Sequence, residues 1–217
     1  MEFEDIQNTL FFHHENLKQL SIDLCQHDIV GIEGNIYSYN GIDHVPSMVN
    51  KMKHLFYLAQ ECEGDVLEIG FNAGNSALIF LMANPKLRVY AFDICIHSYV
   101  KPCVDYLNRH FGNRVILMEG DSLETLPKLK KEFGKSIGIF HVDGLHTLEG
   151  IESDLAQCYR LAWGKSYIAV DDTNIQCIKN EYDKYVQEGK IRNCPSKVIL
   201  DTTPWFHKIG VFNLKEN

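Results

Sequence analysis
Val66-Leu67-Glu68-Ile69-Gly70-Phe71-Asn72-Ala73-Gly74-Asn75-Ser76 runs from an apolar strand, through two glycines, into the start of a helix. In an open parallel sheet, such a turn lies where the carboxyl ends of the strands form a ligand crevice. Gly70 lets the chain turn and a ligand approach the backbone, and Gly74 with Ser76 opens a helix whose free N–H groups can bind polar ligand atoms. The spacing is not G-x-G-x-x-G, because Phe71, Asn72 and Ala73 separate the glycines. That weakens a dinucleotide reading.

Working outward, short runs rich in Val, Ile and Tyr alternate with longer amphipathic stretches, the pattern of a parallel sheet covered by helices. Strands are expected at Asp65–Ile69, Arg88–Asp93, Arg114–Glu119, Ser136–Val142, Tyr167–Asp171, Lys197–Asp201 and His207–Asn213. Helices are expected at Asn75–Met82, Ser98–Phe111, Leu123–Glu132, Leu148–Leu161 and Ile175–Glu188. The fold class is therefore α/β, a doubly wound seven-stranded sheet with helices on both faces. The short Thr202–Trp205 connection predicts an antiparallel C-terminal hairpin at one edge. Residues 1–60 read as a helical and loop cap of the same domain, with Pro46–Gln60 its clearest helix; residues 61–217 form the ligand-binding body. Gly31–Gly41, rich in turn formers and tyrosines, reads as a loop able to cover a site as readily as an ordinary surface loop.

The bulk numbers narrow the partners. With 217 residues and 45% hydrophobic content, one continuous core is expected. A net charge of -8 offers no basic face to nucleic acid. Seven scattered cysteines, none spaced C-x-x-C, argue against a disulfide framework or a zinc site and for a cytoplasmic setting. The N-terminus does not read as a signal peptide, and the longest apolar run is too short for a membrane span. A small-molecule or glycan acceptor remains, and a homodimer stays open.

Two further strand ends carry polar chemistry. Asp93 closes VYAFD, where a carboxylate can take both hydroxyls of a ribose, and Gly120-Asp121-Ser122 follows the next strand, placed to meet an adenine edge. L-E-x-G-x-x-x-G-x-S, the strand-ending Asp93 and G-D-S together resemble the class I methyltransferases that use S-adenosylmethionine, most of all the catechol O-methyltransferase type. The similarity covers roughly 65–174. It implies a Rossmann-like fold, with Glu68 and Gly70 near the methionine part and ribose. It also implies Ser76 near the amino-acid end, Asp93 on the ribose hydroxyls, and Asp121 with Ser122 near the adenine. Asn72 and Gly74 complete the expected cofactor set. Each position also has an ordinary structural account: Glu68 as a paired acid, Gly74 as a packing glycine, Asp93 as a helix cap.

The next two strands end in Asp143-Gly144-Leu145-His146 and Asp171-Asp172. In a doubly wound order these acids lie side by side and repel one another unless a cation or protons intervene. An oxygen-only set suits Mg²⁺ or Mn²⁺ and disfavours zinc. Methyl transfer to oxygen needs an alkoxide-like nucleophile, and a bound divalent cation lowers the hydroxyl's pKa and aims it. His146, three residues after Asp143 and with an ordinary pKa of about 6.5, is the expected base. The D-x-x-H pattern followed by D-D resembles metal-dependent sugar O-methyltransferases, whereas the catechol type has lysine and asparagine at these places. That favours a sugar or other polyol hydroxyl. Asp143-Gly144 as a plain turn, Asp171 or Asp172 as a helix cap, and His146 as a solvated side chain are the structural alternatives. His141 is expected in the core, on the strand face away from Asp143. Tyr37, Tyr39, His44, Asn174 and Trp205 are expected near the substrate on loop position alone.

Three competing functions remain. A metal-independent methyltransferase would leave Asp143 or His146 to act alone. An NAD(P)-binding oxidoreductase would need a tight glycine triplet and a Tyr/Lys or Cys/His set that the chain lacks. An inactive cofactor-binding subunit would have no reason to keep a repulsive acid cluster.

Overall fold
A computed structural model of the protein describes residues 1–25, 46–194 and 206–214. It begins with two helices, α1 (Phe3–Leu24) and α2 (Pro46–Glu61), and then alternates: β1 (Asp65–Ile69), α3 (Asn75–Ala83), β2 (Val89–Asp93), α4 (Val100–Phe111), β3 (Val115–Glu119) and α5 (Ser122–Thr125). There follow β4 (Ile137–Val142), α6 (Leu148–Leu161), β5 (Tyr167–Val170), α7 (Gln176–Gln187), β6 (Ile191–Asn193) and β7 (Lys208–Phe212). The seven strands form one sheet in the order β3-β2-β1-β4-β5-β7-β6. β1 to β5 are parallel; β7 runs antiparallel to both β5 and β6.

Strand residues sort by parity into two cores, as a pleated sheet covered on both faces requires. Val66, Ala91, Ile139 and Ala169 pack with α1, α2, α3 and α4. Leu67, Phe92, Phe140 and Ile168 pack with α6 and α7 on the other face. The N-terminal helices thus share the core of the sheet: Phe3, Leu10 and Leu17 of α1 and Leu55, Phe56 and Leu58 of α2 are fully buried in it.

Two expectations change. A helix over Leu123–Glu132 is replaced by the four-residue α5 and 3₁₀ turns at Leu126–Lys128 and Lys131–Ser136. Pro127 lacks the N–H that a continuing helix needs and clashes with the preceding turn. The sixth strand is Ile191–Asn193, directly after α7; Lys197–Asp201 and the Thr202–Trp205 connection lie outside the described residues. The edge pair is antiparallel as expected, with its sixth strand earlier in the chain. No described helix is long and apolar enough to cross a membrane.

Candidate active site
The register aligns the carboxyl ends of five strands on one edge. Phe92 pairs with Ile69, Ile69 with Val142, and Val142 with Val170. The next amides continue the ladder: Gly70 donates to the Phe92 carbonyl, Gly120 to Asp93, Asp143 to Ile69 and Asp171 to Val142, all at 2.8–2.9 Å. Gly70, Asp93, Gly120, Asp143 and Asp171 are therefore neighbours along this edge.

The glycine loop is held by close approach. Gly70 has φ +85°, and a Cβ there would lie 1.8 Å from the Asp143 carbonyl oxygen, so only glycine lets the β1 loop pass the end of β4. Gly74 caps α3 at φ +79°, with the Phe71 ring where a Cβ would go. Between them Asn72, at φ 51°, donates its N–H to Asp93 Oδ2 at 2.8 Å and accepts from the Tyr99 hydroxyl at 3.1 Å. Asp93 Oδ1 takes the Cys95 N–H at 2.7 Å. The acid expected on a ribose thus also fixes the two loops flanking it, and each oxygen keeps a second lone pair. Asp121 accepts the Leu123 N–H at 2.9 Å as the N-cap of α5, with Ser122 beside it.

Glu68 is fully enclosed. Ser76 donates its hydroxyl to Glu68 Oε1, and His141 Nδ1 lies 3.1 Å from the same oxygen. The expectation for His141 needs correcting. It is buried, but it shares the sheet face of Glu68, Asp143 and Asp171, because residues two apart on a strand point the same way. A His141 ring nitrogen and carboxylate oxygens of Asp143 and Asp171 lie within 4.8 Å of one another. Burial alone would depress the His141 pKa; the hydrogen bond and charge of Glu68 outweigh it and raise the value. Its Nε2 is buried with no hydrogen-bond partner.

The acids expected to form one triad divide into two overlapping groups. Asp143 belongs with His141 and Asp171 on the buried side, and with His146 and Asp172 on the exposed side. His146 Nε2 is 2.9 Å from Asp172 Oδ2 and 3.7 Å from Asp143 Oδ1. Those two carboxylates push its pKa to about 10 against some desolvation, rather than leaving it near the ordinary value. The imidazole is charged at neutral pH while both acids face it, and becomes a base only when their charge is taken up elsewhere. Asp172 holds its place at φ 52°, donating its N–H to Asp171 Oδ1 at 2.9 Å. Thr147 caps α6 directly after His146. Burial and the neighbouring Asp171 raise the Asp143 pKa, despite His146 and Lys51.

Three participants escaped the sequence reading. Lys51 of α2 pairs with Asp171 inside the protein, and His54, one turn on, has Nδ1 3.2 Å from His207 Nε2. Burial would raise the Asp171 pKa, but the charges of Lys51, His207 and His141 lower it. The signal was present: Lys51 heads the stripe of α2 continued by Leu55 and Leu58, a place for an apolar residue. Of the residues expected near a substrate, Asn174 is exposed in the turn after β5; Tyr37, Tyr39, His44 and Trp205 lie outside the described residues.

Residues 67–173 match the family model described as a methyltransferase domain. Among similar solved structures is cofactor-bound Rv0187 from MTB, 18% identical, with a TM-score of 0.64 over 92% of this chain and 89% of that one. The O-methyltransferase TomG from Streptomyces achromogenes, in complex with SAM, is 14% identical, with a TM-score of 0.62 over 90% and 88%. An O-methyltransferase from Bacillus cereus in complex with SAH is 16% identical, with a TM-score of 0.60 over 95% and 91%. At these identities the likeness is one of fold. No curated protein matches by sequence. The matched residues span the glycine loop, Asp93, Asp121 and all three acids.

Proposed function
We propose that the protein transfers the methyl group of S-adenosylmethionine to a hydroxyl oxygen of a sugar or other polyol, small molecule or glycan, assisted by Mg²⁺ or Mn²⁺. One observation carries the reading: the edge that presents the glycine loop and Asp93 also presents Asp143, Asp171, Asp172 and His146, within a methyltransferase domain. The SAM and SAH named with TomG and the Bacillus cereus enzyme support the donor.

In this reading Asp93 accepts the ribose hydroxyls with its remaining lone pairs, and Asp121 with Ser122 borders the adenine. Gly70, Asn72 and Gly74 shape the loop, while Glu68 acts through Ser76, which it holds. Asp143, Asp171 and Asp172 would hold the ion, and the donor set fits it: Asp143 is shared between the groups that contain Asp171 and Asp172, with the unpartnered His141 nitrogen beside the first. When bound, the ion supplies positive charge that lowers the pKa of an acceptor hydroxyl. His146 is placed to receive the hydroxyl proton once Asp143 and Asp172 no longer hold it protonated. The acceptor oxygen forms its bond to the methyl carbon as the carbon–sulfur bond breaks, giving the methyl ether and S-adenosylhomocysteine.

The test is methyl transfer from labelled S-adenosylmethionine to a panel of sugars and polyols. Activity that disappears in EDTA, returns with Mg²⁺ or Mn²⁺ and is lost in Asp172→Asn supports the reading. Activity untouched by EDTA contradicts the metal half of it.

A further inference from the structure
Lys51 stands on the buried stripe of α2, and its ammonium pairs with Asp171 where both side chains are almost wholly enclosed. A lysine headgroup is ordinarily free to snorkel to water, and taking an ammonium out of water costs several kcal/mol unless opposite charge compensates. Here compensation comes from three directions. Asp171 meets the ammonium directly, and Asp143 and Asp172 lie in the acid groups beside it. Two cationic side chains thus divide the three acids. Lys51 from α2 takes the buried Asp171, and His146 from the β4 loop faces Asp143 and Asp172. On the next turn of α2, His54 meets His207, just before β7, so the helix that delivers Lys51 is tied to the same end of the sheet.

We propose that Lys51 is the resident cation of the acid cluster, occupying the Asp171 side of the ion position, so that a divalent ion enters in competition with its ammonium. The second half rests on the divalent-ion reading above; the first does not. Lys51 then acts as a positioning residue: it holds the Asp171 carboxylate in place while no ion is bound, and it sets ion affinity below what three free carboxylates would give. Loading an ion frees this side chain of α2, coupling occupancy of the site to the helix that covers it.

Lys51→Met removes the charge and keeps an unbranched chain on the stripe. Mn²⁺ titrated into metal-free wild type and Lys51→Met, followed by water proton relaxation, should bind at least about tenfold more tightly to the variant, since one like charge near the ion is gone. S-adenosylhomocysteine affinity should stay within about threefold, because Lys51 lies away from the Asp93 loop. Unchanged or weaker Mn²⁺ binding overturns the competition. A second comparison is made in EDTA. Lys51→Met should lower the melting temperature by leaving Asp171 buried and unpaired, and Lys51→Met/Asp171→Asn should recover much of the loss. A double variant that folds where the single one does not counts as that recovery. Additive losses overturn the resident-cation assignment. Recovery without Mn²⁺ binding to either protein removes the divalent reading and leaves Lys51 as the cation of the cluster.

Discussion
The two halves of the sheet edge are built on opposite principles. On the cofactor-loop side, the polar groups are mostly matched, Glu68 Oε2 being a buried exception. Asp93 holds two backbone amides, and Asp121 caps α5. On the acceptor side, charge is concentrated and only partly matched. Three acids share two cationic side chains, and among the described residues His54 Nε2, His141 Nε2 and His207 Nδ1 are buried without partners. In the proposed reading, the crevice is preformed on the side of the methyl donor and electrostatically poised on the side of the acceptor. Preorganisation lowers the ordering cost of binding, and unmatched charge is what a cation or a reacting group can exploit.

The largest expected effect falls on the poised half. Asp172→Asn should lower turnover by about a thousandfold or more while leaving cofactor-product affinity within about threefold; a parallel loss of both would erase the distinction between the halves. His146→Ala should lower turnover by about a hundredfold to ten-thousandfold, again with little change in cofactor affinity. In the metal-free wild type, NMR titration should find the His146 imidazole still charged at pH 8, titrating at about 10, and returning toward the ordinary value in Asp172→Asn. Because the folded value lies above the unfolded one, of about 6.5, these contacts stabilise the fold fully below pH 6.5. That contribution fades as pH rises through about 10.

Gly70→Ala strikes the join between the halves, where the added carbon meets the Asp143 carbonyl. It should cost roughly 3 kcal/mol of stability or more in denaturant unfolding, and an unchanged midpoint would refute the close approach. The smallest effect concerns Asp154 of α6, a buried carboxylate near Ser122 and Gly144, between the two sides. Burial pushes its pKa up to about 6, and neither oxygen has a hydrogen-bond partner within ordinary geometry. A raised carboxyl pKa means the folded state prefers the protonated form. The penalty is absent well below pH 4, grows between about 4 and 6, and is complete above 6. Asp154→Asn should therefore raise stability by about 1–2 kcal/mol at pH 8 and by nothing measurable at pH 3.5.

Most of the architecture could be read from local signals. The parallel strands announced themselves through apolar runs ending in Gly or Asp, and the acids of the edge lay at the end of such a run or within two residues of it. What could not be read depended on contacts between distant segments. The pairing of Lys51 with Asp171 joins positions 120 residues apart, and only the packing of α2 on the sheet creates it. The break after Thr125 was foreshadowed by Pro127, which the amphipathic pattern around it masked. His141 was misplaced because its strand parity was assigned wrongly, although the sequence held the information. The division of the acids into a buried and an exposed group follows from side-chain direction at Asp171 and Asp172, adjacent residues that necessarily diverge.

Calorimetric titration with S-adenosylhomocysteine tests the central claim most directly, because it needs neither the acceptor nor the ion. Wild type should bind one equivalent per chain, and Asp93→Ala should weaken that binding by about a hundredfold through loss of the ribose contacts and of the Asn72 and Cys95 anchors. No binding to the wild type, or equal binding to Asp93→Ala, would contradict the account.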